Sequence, residues 1–272
     1  MPPDSRGAAL GRPPVRLVVP AAVAVVFLAV PLVGLVTEAP WSRLPELLSD
    51  PATRTALWLS FITACLSTVL CVALGLPLAW ALARTEMAGR SAVRALVTVP
   101  LLMPPVVSGV AMLAAFGRQG FIGKPLSEAF EITIPFTTFA VVLAHTFVSL
   151  PFFLISAEGA LRASSREYDG AAATLGASRW MVFRRITVPM VLPGLFAGMV
   201  LAWARSLGEF GATITFAGNY PGVTQTMPLL VYTRLQDDPG AAYLLSLVLL
   251  VISVGLLALL RDRWLGPATG QT

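Results

Sequence analysis

Two charges inside one apolar run are the first place to look for chemistry: Arg205 and Glu209, in Ala202-Trp203-Ala204-Arg205-Ser206-Leu207-Gly208-Glu209-Phe210-Gly211-Ala212-Thr213. Four residues apart, they stand one turn apart on a helix and can pair. A charge at bilayer depth costs ~3 kcal/mol on insertion scales, so such residues face a bundle interior or water. Two roles fit the pair. It can fix its helix against the neighbours, or Arg205 can also offer positive potential to a passing anion. Other constellations say less. His145 and Ser149, one turn apart, are the one local pairing of a base with a nucleophile, and no motif supports hydrolysis; His145, the sole histidine, reads as a packing or hydrogen-bonded residue. Cys65 and Cys71 share one apolar run without metal or redox spacing and read as small packed residues. Gly123-Lys124 is the nearest approach to a phosphate-binding loop, but Arg118 takes the position of its first glycine and Pro125 follows the lysine. The chain is therefore expected to have no catalytic residues, no metal site and no ATP hydrolysis of its own.

Composition supplies the setting for these residues. Hydrophobic residues make up 56% of the 272, charged residues 12%, and the mean hydropathy is +0.79. Such a chain is an all-α polytopic membrane protein rather than a soluble domain. The net charge of +5 does not point to nucleic acid, because the basic residues fall in short clusters between apolar runs. A span needs about 20 residues, and six runs qualify: 17–36, 55–83, 96–116, 134–157, 191–216 and 242–260. Pro77, Pro104, Pro105, Pro151 and Pro193 fall in or at the ends of these runs and predict kinks. A cleaved signal peptide is the competing reading of the first run, with the weaker case, because the run is longer than a typical signal core and lacks a small-x-small cleavage site. Residues 1–16 and 261–272 read as cytoplasmic tails, the first of them disordered, around a single transmembrane domain over 17–260.

Orientation follows from the basic residues. Arg6, Arg12, Arg16, Arg84, Arg90, Arg94, Arg162, Arg166, Arg179, Arg184, Arg185, Arg261 and Arg263 fall on one side; Arg43, Arg54, Arg118, Lys124 and Arg234 fall on the other. The positive-inside rule places both termini in the cytoplasm. The same rule puts the loop at about 158–190 in the cytoplasm. Within it, Asp169 to Pro189 is a polar island: an Ala-rich helix former broken at Gly176, then Trp180, Met181 and Phe183 beside Arg179, Arg184 and Arg185. A short helix, a turn and a second short helix would present those groups to a partner.

That loop resembles the signature loop of bacterial ABC-importer permeases, which reads Glu-Ala-Ala, three residues, Gly, nine residues, Ile-x-Leu-Pro. Ala171, Ala172, Gly176, Ile186 and Pro189 match, and Val188 is conservative. Gly170 stands where the family has Glu, with Asp169 the nearest stand-in. The run Arg205 to Thr213, then Phe216-Ala217-Gly218-Asn219 and Thr224-Gln225-Thr226-Met227-Pro228, resembles the molybdate-importer permeases, and less closely the sulfate and thiosulfate ones. Pro100 to Gly109 and Thr146 to Phe152 resemble the same group.

The resemblance implies a type I importer architecture in the bacterial cell membrane. Two copies of the chain pair, two ABC ATPase subunits using ATP and Mg dock inside, and an oxyanion-binding protein docks outside. Membrane lipid surrounds the assembly. The loop residues Asp169, Gly170, Ala171, Ala172, Gly176, Ser178, Arg179, Trp180, Ile186 and Pro189 would couple ATPase motion to the spans. Ser108, Thr146, Ser149, Arg205, Ser206, Glu209 and Thr213 are expected along the translocation path, with hydroxyl-to-backbone bonding within the helix as the alternative for each hydroxyl. A gradient-driven secondary transporter shares the composition, but Glu209 is the one intramembrane carboxylate to serve it.

Overall fold

A computed structural model describes residues 15–165 and 167–261, and among them every regular element is a helix. The expected tails fall almost wholly outside the described residues, as do Arg6, Arg12, Arg166 and Arg263. Helix α1 (Val15–Glu38) precedes a 3-10 turn (Trp41–Arg43) and the short α2 (Leu44–Ser49). The 34-residue α3 (Pro51–Arg84) starts where Asp50 accepts the Ala52 N–H at 3.3 Å and Pro51 supplies a first-turn residue that needs no partner.

The third expected span is not one helix. It is α4 (Arg90–Leu102) followed by α5 (Pro105–Phe116), bent by 118°. Pro104 and Pro105 have no N–H to continue the ladder, and each pushes the residue before it out of the helical region; Met103 and Pro104 are extended, with ψ of 131° and 137°. The kink expected from these prolines is therefore a break. Helix α6 (Gly123–Phe130) leads to α7 (Thr138–Ala163), which Thr137 caps by accepting the Ala140 N–H at 3.1 Å.

The fifth span also differs from expectation. Two short helices, α8 (Glu167–Thr174) and α9 (Arg179–Val182), lead through a π-helical turn (Phe183–Thr187) into α10 (Val188–Leu207). Pro189 cannot donate to the carbonyl four residues back, and the turn before it widens so that the Val188 N–H reaches the Phe183 carbonyl. The helix then stops at Leu207 instead of running to Phe216. After Gly208 to Phe210 the chain starts again as α11 (Gly211–Phe216). A turn leads to α12 (Met227–Asp237) and α13 (Pro239–Arg261). Among the described residues four helices are long and apolar enough to cross a membrane, and the bent α4–α5 pair makes a fifth span if counted as one; α13 corresponds to the sixth run.

Helices α3, α7 and α10 pack on one another and form the centre. Cys71, Leu82, Phe153, Leu154, Leu161 and Leu195 fill the space near the α8–α9 loop. Leu47, Ala56, Met227, Leu244 and Leu245 fill the other end of α3. The small-xxx-small pair Gly194 and Gly198 faces α7, where a side chain at 194 would overlap Ala160; the Ser156 hydroxyl donates to the Gly194 carbonyl at 3.0 Å across that contact. The two half-helices α5 and α11 lie against each other just as closely. A Cβ on Gly109 would sit 2.6 Å from Thr215 Cβ, and one on Gly211 would sit 2.6 Å from Pro105 Cβ.

Ion pairs fasten the far end of α3. Arg234 donates to Asp50 at 3.1 Å, and Arg43 donates to both oxygens of Asp238 at 3.1 and 2.7 Å. The Arg43 bond, with the Ala241 N–H behind it, holds the Asp238 carboxyl below its ordinary value of 3.8 and raises the Arg43 guanidinium above its own. A depressed carboxylate stabilises the fold at pH above the ordinary value, and that contribution is lost as pH falls through the lower folded value. Asp238→Asn should therefore unfold at a lower temperature than the parent at neutral pH, with the gap closing below about pH 4. Thermal unfolding of the solubilised protein at stepped pH measures it; a gap of constant size would remove the ion pair as its cause. The effect should be small, since both side chains are about a third exposed.

Candidate functional site: a structured loop and a buried polar seam

The loop owes its shape to three local devices. Gly176 ends α8 with φ of +84°, a left-handed conformation that a residue with a Cβ adopts at a cost. The turn lets the Ala177 N–H reach the Ala172 carbonyl at 3.1 Å, the six-to-one bond of a Schellman motif. Ser178 then starts α9 by accepting the Met181 N–H at 3.3 Å. Ala172 is buried, whereas Gly170, Ala171, Ser178, Arg179 and Trp180 are exposed. Ile186 lies half-buried in the π turn, and Pro189 is exposed in the first turn of α10.

Asp169 fixes this unit to the membrane helices. Its carboxylate accepts the Thr187 hydroxyl at 3.1 Å and lies 3.6 Å from Arg84 at the end of α3. Arg84 in turn donates to the carbonyl and hydroxyl of Ser164 after α7. The loop is thus tied to α3, α7 and α10 together, so a force on it reaches all three central helices. The side chain at Gly170 would point into open space, with nothing within 4 Å of a Cβ. A glutamate there would not make the contacts that Asp169 makes.

Deeper in the bundle the structure gathers several residues that the sequence singled out. The Ser206 hydroxyl lies 2.9 Å from that of Ser149 and 2.8 Å from that of Ser67, joining α10, α7 and α3 through three buried hydroxyls. Arg205 and Glu209 pair at 2.5 Å. Their place is the break after α10 rather than the middle of a helix. The other Glu209 oxygen accepts the Ala212 N–H at 2.8 Å, so one carboxylate closes α10 and opens α11. Glu209 is 1% exposed and Arg205 29%, which leaves the guanidinium reachable from outside the chain. The Thr146 hydroxyl donates to the Val142 carbonyl at 2.7 Å and that of Ser108 to the Pro104 carbonyl at 3.5 Å. The Thr213 hydroxyl and both ring nitrogens of His145 are buried with no hydrogen-bond partner.

Sequence reasoning missed two members of this framework. Ser67 gave no signal beyond a hydroxyl in an apolar run. Glu158 was passed over as part of the loop, although it is buried and accepts from Arg94 at 2.6 Å and Arg162 at 2.8 Å, clamping α4 to α7. The signal for it was available: a carboxylate four residues before Arg162 on one helix face.

Comparison with known proteins decides the family. The description "Binding-protein-dependent transport system inner membrane component" matches residues 72–271. The chain belongs to this family. Among the relatives of this inner-membrane component, the Molybdenum transport system permease protein ModB of Mycobacterium tuberculosis (strain ATCC 25618 / H37Rv) is 52% identical over 234 residues, covering 86% of this chain and 88% of the relative. The protein of the same description from Escherichia coli (strain K12) is 40% identical over 219 residues, 80% and 95% of the two chains. A solved bacterial alginate ABC transporter, in complex with an alginate pentasaccharide-bound periplasmic protein, contains a chain of the same fold. Its TM-score is 0.73 at 15% identity, covering 90% of this chain and 91% of that one. The expected class, a multi-pass inner-membrane transport component, is the class found.

Proposed function

We propose that the chain is the permease subunit of an ATP-driven molybdate importer, and that it works as a pair of identical copies with two ABC ATPase subunits in the cytoplasm and an oxyanion-binding protein outside. The observation that carries the cargo is the 52% identity to a molybdenum transport permease along most of both chains. The chain itself is not an enzyme in this reading; ATP and Mg belong to the partner. Both termini and the 158–190 loop lie in the cytoplasm, a reading that the arginine distribution supports.

The loop from Asp169 to Pro189 is the coupling element. The exposed Gly170, Ala171 and Ser178 face the ATPase, while the Asp169 bonds to Arg84 and Thr187 pass displacement into α3 and α10. Closure of the ATPases on ATP then drives alternating access.

The path is wet and weakly binding. A dianion is strongly hydrated, and stripping it would cost far more than a few hydroxyl bonds return. Arg205, partly exposed, supplies positive potential along the path, and its pairing with Glu209 keeps that potential low enough for release. Ser149 and Ser206 are bonded to each other here, and Ser108 and Thr146 to their own helix; the Thr213 hydroxyl is free to bond in another arrangement. The experiment is reconstitution with the ATPase and binding protein. Molybdate should stimulate ATP hydrolysis at concentrations where sulfate does not, and equal stimulation by both would move the assignment to a broader oxyanion importer.

A further inference from the structure

At the loop end of α3 lies an apolar slot of about 430 Å³, walled by Pro77, Trp80, Ala81, Trp180, Phe183 and the stem of Arg179. Its rings are held in place by each other: Trp180 stacks on Phe183 at 5.5 Å, and Trp80 meets Phe183 edge-on at 6.1 Å. Nevertheless Trp180 remains 68% exposed. A second cavity, of about 640 Å³, shares Trp80, Arg179 and Phe183 with the slot and continues to Arg84, Thr85, Glu86, Asp169 and Thr187. The two together form an amphipathic recess, apolar at one end and charged at the other.

Arg84 is the last residue of α3, a helix long and apolar enough to cross a membrane, so the recess falls where such a span would meet the membrane boundary. Seven residues separate Pro77 from Arg84, or about 10 Å along a helix, and the headgroup layer is about 5–8 Å thick. With Arg84 at headgroup level, the slot lies beside hydrocarbon. Tryptophan and arginine at that level are the usual interfacial anchors.

Charge selects the occupant. Within the charged end, Asp169 is engaged by Arg84 and Thr187. Arg84 is itself taken up by Ser164 and Asp169, whereas the exposed Arg179 and Glu86 make no ion pair among the described residues. An unpaired cation and an unpaired anion at one recess match a headgroup that carries both a phosphate and an amine. We propose that this recess holds one phospholipid of the phosphoethanolamine type, with the phosphate on Arg179, the ammonium at Glu86, and an acyl chain in the slot between Trp80 and Trp180. A protein partner approaching the loop from water would not fill a slot that runs down α3 toward Pro77. Bound there, the lipid would bridge α3 and the α8–α9 loop and so set the stiffness of the join through which force passes. The argument needs only that the Arg84 end of α3 meets a membrane surface; neither the cargo nor the orientation enters it.

The test uses the assembled transporter, with its ATPase, in lipid nanodiscs carrying phosphatidylethanolamine with a photoreactive diazirine on the acyl chain. After illumination, peptides containing Trp80 and Trp180 should carry the label, and a matched phosphatidylglycerol probe should label them about tenfold less, the worth of one contact to a charged group. Glu86→Gln should bring the two probes level, and Arg179→Ala should reduce the phosphatidylethanolamine label about tenfold. Ala81→Trp should fill the slot and remove the label. If that variant does not assemble, the probe ratio in Glu86→Gln still decides. Label spread evenly over all lipid-facing helices overturns the proposal. So does phosphatidylglycerol labelling as strong as phosphatidylethanolamine, which would indicate a plain basic patch. Absence of label at the slot, with Trp180→Cys crosslinking to the ATPase or to a second copy, would show a protein occupant instead.

Discussion

Gly176→Val is expected to abolish transport while leaving the chain inserted and the bundle folded. The side chain would meet nothing, since no atom lies within 4 Å of a Cβ at this position. The backbone is the obstacle. At φ of +84° a β-branched residue is strained by roughly 1–2 kcal/mol or more, and relief requires giving up the bond from the Ala177 N–H to the Ala172 carbonyl. That bond sets the angle at which α8 meets α9, and with it the surface that Ala171 and Ser178 present. None of the three central helices depends on it. The measurement is uptake by vesicles and anion-stimulated ATP hydrolysis, normalised to permease in the membrane fraction. Gly176→Asn, which tolerates the left-handed region, should keep most of the activity. Normal uptake by the valine variant would remove the loop from the coupling role.

Glu209→Ala is expected to act at the opposite level, on the bundle itself. It removes two interactions from one buried carboxylate: the 2.5 Å pair with Arg205 and the bond that starts α11 at the Ala212 N–H. Breaking a buried pair costs about 3–5 kcal/mol and losing a cap about 1 kcal/mol. The partial exposure of Arg205 brings the first figure toward its lower end. That is a large share of a typical stability, so the yield of folded, assembled transporter should fall steeply. Glu209→Gln can still cap α11 and accept from Arg205, and should recover assembly. Arg205→Ala should be more damaging than Arg43→Ala, because it strands a carboxylate that is 1% exposed, whereas the Asp238 partner of Arg43 is about a third exposed. Equal yields for Arg205→Ala and Arg43→Ala would deny the intramembrane pair any special standing.

How legible these features were in the sequence depended on their range. The Arg205–Glu209 pair was legible because its spacing is one helical turn and its cost in a membrane is local. The helix–turn–helix of the loop was legible from an Ala-rich start and the glycine that breaks it, whereas the Ser178 cap came only from the structure. The double proline announced a disturbance in the third run, but a kink and a break of 118° begin from the same missing N–H groups. The stop at Leu207 was not legible. Apolar residues continue to Phe216, and the helix ends because the Glu209 carboxylate finds the Ala212 N–H and because Gly211 allows α11 to lie against Pro105.

By itself, then, the sequence determined that the chain lives in a membrane, how many apolar runs it has, how the arginines group between those runs, and where the polar loop at Asp169 begins and turns. Each of these is a sum over neighbouring residues: transfer of an apolar segment to lipid, or the conformational preference of a glycine. The tertiary structure alone decided that Ser67, Ser149 and Ser206 share one knot of hydroxyls, that Glu158 holds Arg94, and that Asp169 reaches both Arg84 and Thr187. Those contacts join residues 18 to 139 positions apart. Their existence depends on which helix faces press together, and that is settled by close packing at small residues such as Gly194 and Gly198 on α10, a property of pairs of surfaces that no single segment carries.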